Sequence, residues 1–230
     1  MPVILDHFEQ GTLEWKNSRV GRVTMSNAKK LLTGGKGKTR ESYLIDVASE
    51  VSSGQLSESF KSRDMDRGNM LEPMAVKAYE AVTGERVRTV GIGYLNEDRR
   101  IAASPDGLMT GKGLEIKCPN PKAHLRTILA ASAPKEYAPQ MQGGMWVFDF
   151  SEWDYVSFCP TYKPMPICII TVQRDEEMIA KIEAACHAAI IEIDGYVEIA
   201  KMNVTPELQR ICNQSIEMLD IVSQVEPEIY

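Results

Sequence analysis

The 230-residue chain is 43% apolar and 25% charged, the make-up of an ordinary globular protein long enough to bury a core of its own. No apolar run approaches the roughly 18 residues of a membrane-crossing helix. The N-terminus places Asp6 where a signal peptide needs an unbroken apolar stretch, so export is not expected.

Net charge is −6, which taken alone argues against a nucleic-acid partner, but the charge is unevenly spread. Lys16 to Arg40 holds eight Lys or Arg and no acid, whereas Asp175 to Tyr230 holds twelve acids against three bases. The N-terminal part is therefore the candidate anion-binding face, and the acidic end would repel DNA elsewhere. The five cysteines, Cys118, Cys159, Cys168, Cys186 and Cys212, are odd in number and scattered, with no CxxC; this points to a reducing cytoplasm rather than a disulfide framework. His7, His124 and His187 lack the spacing of a structural zinc site.

In chain order, the stretch from Trp15 to Gly35 predicts a helix, a turn and a second short helix, capped by Thr24 or Ser26 and ended by Gly34-Gly35. Residues 34–40 read as a mobile basic loop. Tyr43, Leu44, Val47, Ala48 and Val51 have the spacing of an amphipathic helix. Met70, Leu71, Met74, Ala75, Ala78, Tyr79 and Val82 form one stripe of another, stopped by Gly84. Pro73 means that this helix either starts near it or kinks there. Three short strands follow, over residues 86–95, 99–109 and 113–119, separated by turn signals. Helical patterns then run through residues 122–132 and 137–148, a strand hairpin spans 153–174, and two helices broken near 202–207 end the chain. The order predicts an α/β fold with a mixed central sheet flanked by helices, as one domain over 1–230 with its core at about 8–175.

The stretch Ser104 to Pro119 carries the chemistry. Side chains two apart on a strand share a face, so Glu115 and Lys117 point one way while Leu114, Ile116 and Cys118 point into apolar packing. Asp106 sits where the preceding strand ends, in Pro105-Asp106-Gly107. A turn through Gly111 and Gly113 folds the next strand back, so Asp106 and Glu115 can converge. Converging carboxylates repel unless a cation lies between them. A hard divalent ion fits, with the backbone carbonyl of Ile116 as a further ligand. Lys117 would orient or deprotonate a water, or steady charge on a phosphate. Together these are the parts of metal-assisted phosphodiester hydrolysis. The plainer alternative is a Pro-Asp-Gly turn beside the wet face of a half-exposed sheet.

Asp106 followed by Glu115-Ile116-Lys117 matches the PD-(D/E)xK nuclease signature. The segments "SPDGL" and "GLEIKCP" resemble the lambda-type phage exonucleases of the YqaJ viral recombinase family. So do "FEQGTLEWKNSRVGRVTMS", "RGNMLEPMAVKAYEAVTG" and "YAPQMQGGMWV", in the same order over residues 8–175. The resemblance implies a restriction-endonuclease-like core and a phage- or prophage-encoded enzyme of the bacterial cytoplasm. It implies a 5′→3′ exonuclease that uses Mg²⁺, for which Mn²⁺ can substitute, as two ions. Such an enzyme degrades one strand of linear double-stranded DNA and leaves the other single-stranded. It also implies a ring-shaped homotrimer and a single-strand annealing protein as partner. Carried over by position, Asp106 and Glu115 become metal ligands, Lys117 the catalytic lysine, Glu72 an assisting acid and Gln140 the glutamine of the site. Arg19 and Ser26 would bind the DNA 5′-phosphate, which suits a helix N-terminus near Ser26 and the bidentate fork of Arg19. Met65 and Trp15 fall near the strand-separation point, as a wedge and a packing surface, or are simply core residues.

Three rival readings are open. One is an endonuclease of the same fold. Another is an iron–sulfur nuclease of the CRISPR-adaptation type, which needs four clustered cysteines that this chain lacks. The third is a DNA-end-binding protein without catalysis, against which the intact Asp106/Glu115/Lys117 set argues.

Overall fold

A computed structural model of the chain describes residues 2–7, 9–33, 38–57, 63–211 and 213–214, without the side chains of 63–66 and 69. In chain order its elements are β1 (Val3–Leu5), α1 (Leu13–Arg19), β2 (Val23–Thr24), α2 (Ala28–Leu32), α3 (Lys38–Ser53), α4 (Arg63–Thr83), β3 (Ile92–Tyr94), β4 (Ile101–Ala103), β5 (Gly107–Met109), β6 (Lys112–Lys117), α5 (Pro121–Ala130), α6 (Ala138–Phe148), β7 (Glu152–Phe158), β8 (Ile167–Gln173) and α7 (Glu176–Met202).

The strands form two mixed sheets rather than one. The first runs β1-β3-β4-β2 and the second β5-β6-β7-β8. The break falls at Pro105, between β4 and β5. Proline has no N–H to give to a ladder and biases the residue before it, so the stretch read as one strand divides there. In the second sheet β5/β6 and β7/β8 are antiparallel hairpins, while β6 and β7 run parallel from Lys112↔Glu152 to Lys117↔Ser157. A parallel pair needs a crossover, and α5 and α6 supply it.

The second sheet is covered on both faces. Ala75 and Tyr79 of α4 pack on Leu114, Ile116, Val156 and Phe158. On the other face α6 joins α2, α3 and α7 in the main core, through Met141 and Met145 against residues such as Leu44, Ile182 and Cys186. Two glycines let α6 come so close. A Cβ on Gly144 would lie 2.5 Å from the Trp153 ring, and one on Gly143 would lie 2.4 Å from the Met25 sulfur.

Several local expectations change. The predicted turn before α2 contains β2, which pairs parallel with β4. Neither Thr24 nor Ser26 caps α2; Thr24 Oγ1 accepts from Asn27 Nδ2 at 2.9 Å instead. Lys38 to Arg40 open α3 rather than continue a loop, and residues 34–37 lie outside the described residues. The helix with Pro73 starts at Arg63 and runs through it. Its apolar stripe is only partly buried: Ala75 and Tyr79 are fully covered, but Met70 is 78% and Val82 63% exposed. The sheet beneath covers a narrow strip of that helix. Helix α7 is followed by a short helical stretch from Pro206, as the broken C-terminal pattern predicts. No described helix is long and apolar enough to cross a membrane.

Candidate active site

Strand β6 lies between β5 and β7, and its alternation presents Glu115 and Lys117 on the face opposite Leu114 and Ile116. Glu115 is 1% exposed. One of its oxygens pairs with Lys117 Nζ, and the other accepts from Gln140 Nε2 at 2.7 Å. The close seating of α6 brings Gln140, in its first turn, onto Glu115. Asp106 is held to the same strand twice. Its N–H donates to Leu114 O at 3.1 Å, and its Oδ2 accepts from the Ile116 N–H at 2.5 Å. Its place is thus the bend before β5, not the end of the preceding strand. Tyr137 lies under Lys117, whose Nζ is 5.2 Å from the ring centroid.

Glu72, on α4, reaches this cluster electrostatically from the other side. Its carboxyl is pushed up to about 7, by burial first and then by the Asp106 charge, partly offset by Lys117. Glu115 is likewise pushed up to about 7 by burial, with Lys117 opposing and Asp106 reinforcing. Asp106, which keeps part of its surface open, is raised by burial. For Lys117, burial works downward, but the charges of Glu115 and Asp106 outweigh it and raise the ammonium. Burial holds all three acids up first, and the single ammonium of Lys117 offsets it only in part. The charges around it favour the ammonium form of Lys117.

The donors are hard oxygens without thiolate or imidazole, the set that suits Mg²⁺ or Mn²⁺. Among the described residues no three His, Cys, Asp or Glu side chains are arranged to hold an ion by themselves. Asp106 and Glu115 fit an ion whose remaining positions are filled by backbone, water or phosphate, which is the habit of Mg²⁺.

A second group of residues adjoins this one. Arg19, at the end of α1, donates from Nη1 to Ser104 Oγ at 3.0 Å and from Nη2 to Ser26 Oγ at 3.2 Å. Trp15 donates from Nε1 to Ser104 Oγ at 3.2 Å and to Gly91 O at 2.9 Å, and the Arg19 guanidinium sits 4.5 Å above its ring. Trp15 is thus a platform for Arg19. Burial lowers the Arg19 pKa, and its hydrogen-bond partners are neutral hydroxyls. A desolvated guanidinium of this kind is a ready receiver for an anion. Ser26 is exposed in a single 3-10 turn, Met25–Asn27. From it a recess of about 260 Å³ leads past Lys29, Glu136 and Tyr137 to Gln140. The Met65 side chain lies outside the described residues.

Sequence reasoning singled out neither Ser104 nor Tyr137, and it named Lys29 only as part of the basic run. Ser104 is two residues from Asp106 and bonds Arg19, so one short segment ties the two groups together. Tyr137 and Gln140 share the start of α6, and Lys29 belongs to the acid-free basic run.

Residues 14–151 match the YqaJ-like viral recombinase domain. The chain belongs to the YqaJ-like viral recombinase family. Among solved structures it is similar to an alkaline exonuclease from Laribacter hongkongensis, at 32% identity and a TM-score of 0.77, over 83% of this chain and 97% of that one. The same exonuclease in complex with dAMP matches at 33% identity, with the same coverage and TM-score. A phage-related exonuclease from Haemophilus somnus 129PT shares the fold, at 21% identity and a TM-score of 0.56, over 79% of this chain and 96% of that one. No curated protein sequence matches the chain. The mixed α/β nuclease fold of this YqaJ-like chain is the one its sequence predicts.

Proposed function

We propose that this YqaJ-like protein is a Mg²⁺-dependent 5′→3′ exonuclease. It would degrade one strand of linear double-stranded DNA and leave a 3′ single-stranded overhang for annealing. One observation supports the reading above all others: Ser104 and the 260 Å³ recess join the Asp106/Glu115/Lys117/Gln140 cluster to the Arg19/Ser26 pair. This adjacency supports reading Arg19 and Ser26 as a phosphate grip beside a hydrolytic centre.

Asp106 and Glu115, with the Ile116 carbonyl, would hold the ion. When bound, Mg²⁺ supplies Lewis-acid activation of water and neutralises phosphate charge. Gln140 holds Glu115 in orientation, and the protonated Lys117 donates to a non-bridging oxygen as charge develops there. Glu72 would accept a proton from the attacking water, a role that its carboxyl, pushed up to about 7, supports. The P–O3′ bond breaks, the released 3′-oxygen takes a proton, and a 5′-mononucleotide departs. Arg19, Ser26 and Ser104 then receive the next 5′-phosphate, with Lys29 lining its approach. A ring-shaped homotrimer around DNA and a single-strand annealing partner belong to the same reading, as does action inside a phage-infected or prophage-bearing cell.

Linear duplex with 5′-phosphates, labelled separately on each strand end, tests the proposal beside closed circular DNA. With Mg²⁺ the 5′ label is released as mononucleotide, the 3′ label persists, and the circle survives. Cutting of the circle favours an endonuclease, and loss of the 3′ label first reverses the polarity. Asp106→Ala, Glu115→Ala and Lys117→Ala should each abolish release in a folded protein.

A further inference from the structure

The face of the second sheet beneath α4 packs apolar residues such as Leu114, Ile116 and Val156 against the helix, but it also buries an acid. Asp154 of β7 is 2% exposed, yet it sits in a register row between Leu114 and Thr171. Three donors converge on it: Tyr79 Oη at 2.6 Å, Lys112 Nζ at 2.8 Å and Thr171 Oγ1 at 2.6 Å. Lys112 is also paired with Glu85 at 2.8 Å, just beyond the end of α4. These contacts hold the carboxyl of Asp154 below its ordinary range against its burial. A buried charge cluster of this kind is a poor source of stability, since apolar residues would serve as well or better. Its use is more readily found in fixing geometry.

The geometry it fixes is that of α4. Apolar packing of Ala75 and Tyr79 on Leu114 and Ile116 is non-directional and tolerates sliding along the helix axis. A 2.6 Å hydrogen bond does not. Tyr79 lies seven residues after Glu72, which is two turns and about 10 Å along the same helix face. Pro73 removes one backbone rung immediately after Glu72, so the local ladder holds that turn less firmly. At the other end of the helix, Arg67 donates from Nε and Nη2 to Cys118 O at 3.3 and 3.1 Å. Glu72 therefore hangs between two attachments, one to the end of β6 and one to the middle of β7.

We propose that Tyr79, through its bond to Asp154, is a positioning residue that sets the reach of Glu72 over the Asp106/Glu115 cluster. This rests on the nuclease reading and deepens it. Tyr79→Phe keeps the ring and leaves Asp154 bonded to Lys112 and Thr171, so no buried charge is orphaned and the fold persists. Misplacement of a reacting group by about 1 Å costs on the order of tenfold to a hundredfold in rate.

The test is a double-mutant cycle on digestion of 5′-phosphorylated linear duplex, with kcat and KM read separately. Tyr79→Phe should lower kcat about tenfold with KM unchanged, and should cause no further loss in a Glu72→Gln background. Thr171→Val disturbs the same carboxylate without cutting the tether to α4, so it should lower the melting temperature and show no coupling to Glu72. The proposal is overturned if Tyr79→Phe leaves kcat intact, slows both backgrounds by the same factor, or couples to Glu72 no more than Thr171→Val does. Failure of the underlying role of Glu72 looks different: Glu72→Gln then digests at the wild-type rate, and the tether has nothing to position.

Discussion

Replacing Glu115 by Gln should change how stability depends on pH in the metal-free protein. The Glu115 carboxyl is raised from 4.5 to about 7, by burial first, and its side chain is 1% exposed, so solvent does little to screen the effect. A group whose folded pKa is raised contributes stability that is fully present below the unfolded value. That stability is lost as pH rises through the folded value. The window here runs from about 4.5 to about 7. A rise of that size is worth about 3–4 kcal/mol. In a chain of this size that corresponds to roughly 6–16 °C in melting temperature. Glu115→Gln also removes the charge that pairs with Lys117, but that pairing is already contained in the Glu115 titration, because Lys117 stays protonated and only the charge on Glu115 changes over this range. The informative quantity is therefore the slope. Thermal melts in chelator from pH 4.5 to 8.5 should show the wild type losing stability relative to Glu115→Gln as pH rises. Mg²⁺ should restore the wild type at pH 8 by binding the ionised carboxylates, and restore the variant less. Parallel profiles for the two proteins, with no Mg²⁺ effect on either, would refute a charge-starved metal site.

Other outcomes follow from the same geometry. Arg19→Lys keeps a charge but loses the fork that meets Ser104 and Ser26; single-turnover digestion should slow on 5′-phosphorylated ends and converge on the rate for 5′-hydroxyl ends, whereas equal slowing on both would speak against the pocket. Gly144→Ala drives a Cβ to 2.5 Å from the Trp153 ring; urea unfolding should show a loss of about 1–3 kcal/mol, accompanied by lower kcat as Gln140 withdraws from Glu115. Lys117→Met leaves the carboxylates without their cation; in chelator it should lose about 3–5 kcal/mol, and Mg²⁺ should recover part of that stability without recovering cleavage.

Much of this was legible in the sequence because the decisive residues lie within one short span. Glu115 and Lys117 follow from strand alternation alone, and Asp106 from a turn that returns the chain to its neighbour. Sequence could not show that Asp106 is fixed by the Ile116 N–H, since that bond depends on the register of the bend against β6. The split into two sheets was hidden because Pro105 interrupts a run whose apolar pattern continues on both sides. Met70, Met74 and Val82 share a helical stripe with Ala75 and Tyr79, but a helix lying on a sheet buries less than its stripe. Asp154 looks like an ordinary polar position on a strand; only the packing of α4 shows that it is covered. Glu72 and Gln140 carried no local signal strong enough to stand without the family resemblance, whereas Arg19 and Ser26 fall within the acid-free basic run.

The most direct test of the central claim is anomalous diffraction from crystals of the protein soaked with Mn²⁺. The account predicts a peak in contact with the carboxylates of both Asp106 and Glu115, absent in Asp106→Asn. A protein that digests DNA with Mn²⁺ yet shows no peak at those two side chains would contradict it.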